Sequence, residues 1–285
     1  MDAAARAAAL VLVLLAACGG AGDRVRVGGK NFTEQRILGE LVAQTLEAAG
    51  LPVERRLDLG GTFVCDAALR AGQIDVYVEY TGTALAAVLK EPPGDPATVW
   101  ARVAAAYARD GLVWTRRLGF DNTFALVVRD EPGTAGITTI SAAVPVARGW
   151  RAGFGYEFQQ RADGYPALAA TYGLAFETIR TMDLGLLYRA LVDRQVDVVA
   201  GNATDAQIES LRLRALADDR HAFPPYEAAP VVRQAALDRH PALRAALDAL
   251  GGTLTAEAMR RLNYGVDGEH RSPAEVVRAW RALHP

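Results

Sequence analysis

Gly72-Gln73-Ile74-Asp75-Val76-Tyr77-Val78-Glu79-Tyr80-Thr81-Gly82-Thr83 sets a strand directly against a helix. Residues 74–79 are mostly β-branched and aromatic, which favours a pleated, buried strand. A helix is predicted over 83–89, after the glycine. Two earlier junctions have the same grammar: Gly28-Gly29-Lys30-Asn31-Phe32-Thr33-Glu34 and Gly60-Gly61-Thr62. Each supplies glycine for close backbone approach and Asn or Thr to cap the next helix. Around them lie predicted strands over 24–28 and 53–59 and helices over 33–49 and 62–71. The first helix carries Ile37, Leu38, Leu41, Val42 and Leu46 on one side and Glu40, Gln44 and Glu47 on the other, and stops at Gly50. In a parallel sheet these junctions share the carboxyl edge, where open α/β sheets bind ligands. Helix N-termini and Lys30 would give that edge an anion-binding half.

A helix is predicted over 97–109 and a strand over 123–129 leading out of this block. A second block repeats the logic, with strands over 150–154, 176–182 and 196–200 and helices starting at 156, 165, 184 and 204. An extended return covers 227–232, and a helical tail runs from 234 to 284. Repeated β–α units with short connections argue for two α/β lobes built on parallel or mixed sheets. The 285 residues are 51% hydrophobic and 22% charged, too apolar for a disordered chain and too polar for a polytopic membrane protein. A net charge of −2 leaves no broad basic surface for nucleic acid. Of the 31 cationic side chains only Lys30 and Lys90 are lysine, which makes Lys30 stand out.

The apolar run of residues 7–17 is too short to span a bilayer and has the length of a signal-peptide core. It ends in Leu15-Ala16-Ala17-Cys18-Gly19-Gly20, small residues before a cysteine, which resembles the bacterial lipobox. That resemblance implies cleavage before Cys18, acylation of its sulfur, a tether over 18–23 and an extracytoplasmic, membrane-anchored protein. Cys65, the other cysteine, reads as a small buried residue rather than a nucleophile. The four histidines are scattered through the last quarter with no zinc spacing, and the nucleophile-elbow and Walker A patterns are absent. Asp66 and Asp75 suit capping and turn roles better than acid–base catalysis. The expectation is a binding protein without cofactor or metal, not an enzyme.

Lys30-Asn31-Phe32-Thr33-Glu34-Gln35, Leu59-Gly60-Gly61-Thr62, the stretch quoted first, Arg161-Ala162-Asp163-Gly164-Tyr165-Pro166 and Phe223-Pro224-Pro225-Tyr226-Glu227-Ala228-Ala229-Pro230 together resemble the substrate-binding proteins of osmoprotectant ABC importers. These bind glycine betaine, carnitine, choline and related quaternary ammonium compounds. The resemblance runs from about residue 24 to the C-terminus. It implies a type II periplasmic-binding-protein fold, two α/β lobes joined by a two-strand hinge. Lobe 1 would cover 24–125 and 230–285, lobe 2 would cover 126–229, and the crossings would fall near 123–129 and 227–232. The partners implied are a small quaternary-ammonium or betaine ligand, an ABC permease and, through it, ATPase subunits.

The resemblance also implies a site. Tyr80 and Tyr226 match two tyrosines of the family's cation box. Phe124 and Asn202 stand where the box usually has tyrosine. Lys30, Thr83 and Arg161 match the groups that hold a ligand carboxylate. The chemistry is coherent, because a trimethylammonium group has no hydrogen to donate and must be held by aromatic faces and shape. Phe124 keeps a π-face, whereas Asn202 removes a wall and brings an amide. Either a neighbouring ring such as Tyr156 fills in and the ligand is an ordinary betaine, or Asn202 reads a polar group, as on ergothioneine. An unmethylated amino acid or polyamine ligand, a sensor role and a lipoprotein enzyme are the competing readings.

Overall fold

The computed structural model describes residues 24–92 and 94–284. The proposed signal segment, Cys18 and the tether lie outside the described residues. Ten strands follow one another as β1 (Val25–Gly28), β2 (Val53–Arg56), β3 (Val76–Tyr80), β4 (Leu112–Trp114), β5 (Phe124–Arg129), β6 (Arg151–Phe154), β7 (Thr178–Thr181), β8 (Val198–Asn202), β9 (Leu213–Leu216) and β10 (Ala228–Arg233). They form two five-stranded sheets of order β2-β1-β3-β10-β4 and β7-β6-β8-β5-β9. In the first, β1 lies parallel to β2 and β3, while β10 runs antiparallel to β3 and β4. In the second, β6 lies parallel to β7 and β8, while β5 runs antiparallel to β8 and β9. Each sheet therefore takes its fourth strand from chain that has just crossed from the other lobe.

The crossing segments, 115–123 and 217–227, touch where they pass. Asp121 and Glu227 form an antiparallel bridge. The Asn122 backbone N–H donates to the Tyr226 carbonyl at 3.1 Å, and the Tyr226 backbone N–H donates to Asp121 Oδ1 at 3.0 Å. Residues 123–129 and 227–232, expected as the crossings, hold the strands reached just after them. β4, β9 and a helix over Ile140–Ala147 had no sequence expectation. Both strands are sheet edges of three or four residues, too short to display a period.

Three helices start at the carboxyl edge of the first sheet. They are α1 (Thr33–Ala48), α2 (Thr62–Arg70) and the single turn α3 (Thr81–Thr83), which widens into a π-helix over Ala84–Leu89. The predicted apolar stripe of α1 is buried, and Leu243, Leu247, Met259, Leu262, Val276 and Val277 of the C-terminal helices join the same core. Burying a side chain of this size stabilises by about 1.5–3 kcal/mol, so the tail is bound to lobe 1 by its apolar faces. The two lobes also share a device. Asp75 takes the Arg26 amide and guanidinium, and Asp197 takes the Arg151 amide and guanidinium in the same way. Each aspartate thereby ties its sheet's third parallel strand to the first.

Candidate ligand-binding site

Tyr226 sits on the second crossing, so its side chain reaches both lobes. On the lobe 1 side it packs against Gly82, where an added Cβ would come within 2.8 Å of the Tyr226 ring and 2.6 Å of the Pro225 carbonyl oxygen. On the lobe 2 side its hydroxyl donates to Asp163 Oδ2 at 2.7 Å. Phe124, the first residue of β5, meets the Tyr226 ring edge-on with centroids 5.3 Å apart, and Phe158 and Phe223 close around it. The Arg161 guanidinium lies over the Phe124 ring at 5.4 Å. It donates through Nε and Nη2 to the two oxygens of Asp163 at 2.8 and 2.5 Å. Phe124, Tyr226 and Arg161, distant in sequence, are thus one contact cluster around Asp163.

Tyr80 and Lys30 form a second cluster at the lobe 1 edge. The Lys30 ammonium lies 5.1 Å from the centroid of the Tyr80 ring. It also donates to Glu79 Oε1 at 2.5 Å in a fully buried pair. Glu79 is held further by the Tyr77 hydroxyl and the Tyr80 amide. The Tyr80 hydroxyl donates to Glu34 Oε1 at 2.6 Å. Burial pushes the phenols of Tyr80 and Tyr226 well above their ordinary range, so both rings are neutral donors at physiological pH.

Asn202 ends β8 directly opposite Phe124 in the strand register. Its backbone N–H donates to Asp205 Oδ2 at 2.8 Å. Tyr156, the ring that could have replaced the missing wall, is 58% exposed. Thr83 is buried within α3. A cleft between the lobes is lined by Thr62, Phe63 and Ala87 on one side and Glu157, Gln160 and Arg161 on the other. Arg161 is therefore shared between the cleft and the Phe124–Tyr226 cluster.

Both cations expected to hold a ligand carboxylate already carry a carboxylate partner. Neither is exhausted, because an ammonium has three donors and a guanidinium five. Sequence reasoning assigned no role to Glu34, Gln35 or Asp163, although all three lie in the quoted motifs. Gln35 is buried beside this edge, its Oε1 3.5 Å from the Lys30 amide, and its Nε2 makes no hydrogen bond within the protein. Cys65 is buried and its thiol is pushed up to about 11 by burial, so it stays protonated and unreactive. Asp66 and Asp75 share no hydrogen-bond partner. Asp66 accepts from Arg70 and Tyr107, and Asp75 from Arg26 and Arg239.

A family model described as the substrate binding domain of ABC-type glycine betaine transport systems matches residues 23–282. The chain is 35% identical over 268 residues to a glycine-betaine-binding protein of Pseudomonas aeruginosa, across 90% of this chain and 86% of that one. It is 32% identical over 255 residues to an ergothioneine transport permease/ergothioneine binding protein of Helicobacter pylori, across 88% of this chain and 46% of the other. A crystal structure of a glycine betaine/carnitine/choline ABC transporter superposes with a TM-score of 0.81 at 30% identity, across 91% of this chain and 98% of that one. The fold is the type II periplasmic-binding-protein fold.

Proposed function

Because the chain belongs to the family of substrate-binding domains of ABC-type glycine betaine transport systems, and is a transporter's substrate-binding protein rather than an enzyme, we propose that its ligand is a zwitterionic betaine-type solute. It captures this solute between the lobes and hands it to the permease. The observation that carries the reading is the charge balance beside the aromatic pair. Lys30 is matched by Glu79 beside the Tyr80 ring, and Arg161 by Asp163 beside the rings of Phe124 and Tyr226. A site balanced in this way favours a guest whose own charges cancel. A quaternary ammonium head gains roughly 0.5–2 kcal/mol per ring from cation–π contact. The spare donors of Lys30 and Arg161, with Thr83 and the Gln35 amide, supply charge-assisted hydrogen bonds to its carboxylate.

A thermal-shift screen over glycine betaine, carnitine, choline, ergothioneine and amino acids tests this, since a guest that binds only the folded state raises the melting temperature. Betaines should shift it and choline, which has no carboxylate, should shift it less. A choline response equal to that of the betaines would remove the carboxylate half of the site.

Asn202 favours a second reading, a betaine with a polar substituent such as ergothioneine. Asn202→Tyr would restore a ring and remove the amide, and an unpaired buried polar group costs about 1–3 kcal/mol. The substitution should tighten glycine betaine and weaken ergothioneine in calorimetric titrations. Movement of both affinities in the same direction would show that Asn202 does not select. The anchor is a separate proposal. Cys18 is the acylated residue, and a Cys18→Ser precursor should lose its lipid label and its membrane association.

A further inference from the structure

Glu34 is fully buried, and its neighbours come from across the molecule. Tyr80 of β3 and Asn122 of the first crossing donate to Oε1 at 2.6 and 2.7 Å. Thr204, just past β8 in lobe 2, places its hydroxyl oxygen 2.5 Å from Oε2. Asn263 of the C-terminal Ala256–Asp267 helix donates to Oε2 at 3.1 Å and to the Thr204 carbonyl at 3.0 Å. The Thr204 hydroxyl also lies 2.7 Å from Asn122 Oδ1.

Glu34, Asn122 and Thr204 therefore close a ring of three short polar contacts. Each contact needs one hydrogen. The Asn122 amide supplies one to this ring, whichever way round its oxygen and nitrogen are placed, and the Thr204 hydroxyl has only one to give. The third has one remaining source. We propose that Glu34 is held as a neutral carboxylic acid whose proton completes this ring across the hinge, and that through it Glu34 positions Tyr80. The carboxyl donates to Thr204, Thr204 donates to Asn122, and Asn122 donates back to the carboxyl, while the other lone pairs receive Tyr80 and Asn263.

The surroundings favour the neutral form. All four hydrogen-bonding neighbours are uncharged. Burial raises the Glu34 pKa more than its contacts with Thr204, Tyr80 and Asn263 lower it, and the carboxylate of Asp205 raises it further. The charge of Lys30, the cation on the Tyr80 ring, is balanced by Glu79. Glu34 is a positioning residue in this account. It touches Tyr80 and the hinge, and its effect on a guest passes through the Tyr80 ring, which rests on the proposed site.

Infrared difference spectra of the ligand-free protein at neutral pH, wild type against Glu34→Gln, read the proton directly. The wild type should show the carbonyl band of a protonated carboxylic acid and the variant should lack it. Equal bands in the two proteins, or a carboxylate band lost instead, would overturn the assignment whatever the guest proves to be. Should Glu34→Gln fail to fold, a wild-type sample labelled with carbon-13 at glutamate carboxyls reads the same protonation by NMR. Positioning has its own readout. Tyr80→Phe keeps the ring and frees it from Glu34, and should weaken glycine betaine by about ten-fold, with a normal melting curve. Unchanged glycine betaine affinity in Tyr80→Phe, in a protein whose wild type binds it, would overturn the positioning role and leave the substrate reading standing.

Discussion

Tyr226 uses its ring and its hydroxyl for different ends. The ring stands edge-on to Phe124, and the hydroxyl fixes Asp163, which in turn holds Arg161. Two substitutions separate these roles. Tyr226→Ala should weaken glycine betaine by about 1–2 kcal/mol through loss of the π-face. Tyr226→Phe should keep most of the cation contact and lose the link to Asp163. Calorimetry on both variants measures the difference, and wild-type affinity in Tyr226→Ala would take Tyr226 out of the site. Arg161→Ala should cost a carboxylate-bearing guest about 1.5–3 kcal/mol, the range for hydrogen bonds to charged groups, and cost choline far less. The motifs made these residues legible as chemical types. The counter-charge of Arg161 stands two positions away in its own motif, whereas that of Lys30 was not legible, because Lys30 and Glu79 stand 49 positions apart and meet only when β1 and β3 lie side by side.

At the scale of elements, α3 decides how closely the second crossing can approach the first sheet. Gly82 leaves room for Tyr226, and the Thr81 hydroxyl donates to the Pro225 carbonyl at 2.9 Å while accepting from the Glu227 amide at 3.1 Å. A methyl at position 82 would meet a backbone oxygen that cannot swing aside. Gly82→Ala should therefore destabilise by roughly 1–3 kcal/mol, the usual cost of overpacking, and weaken guest binding as well. Ser272→Ala is the contrasting case. It breaks the capping box of the Pro273–Leu283 helix, far from the site, and should lower stability by about 1 kcal/mol with guest affinity intact. Thermal melts and calorimetry on the pair distinguish them. If Gly82→Ala lost stability without affinity, α3 would have no part in shaping the site.

Across the whole molecule the two sheets repeat one plan, and the aspartates at the base of each tie stability to pH. The Arg151 hydrogen bonds and charge hold Asp197 well below the usual carboxylate range. Burial alone would raise Asp75, yet Arg26 and Arg239 overcome it and hold that carboxyl low too. Depressed carboxyls contribute stability that is present above the unfolded pKa of about 3.9 and is lost as pH falls through the lower folded value. Melting temperatures should therefore drop steeply below about pH 4, and Asp197→Asn should flatten that limb while lowering the neutral plateau. An unaltered acid limb in the variant would exclude Asp197 as a source. The inner strands, the position of the glycine junctions and the apolar stripe of α1 were determined by the sequence itself, because periodicity and turn chemistry act between near neighbours. The Asn and Thr caps expected at those junctions are not made, and the helices start from Phe32, Gly61 and Tyr80 without a side-chain cap. The edge strands β4 and β9, the exact passing point of the crossings at Asp121 and Glu227, and the ring joining Glu34 to Asn122 and Thr204 were decided only by tertiary structure. The Glu34–Thr204 contact spans 170 positions, and no local pattern encodes a contact that exists only after two sheets have formed and the chain has crossed twice between them.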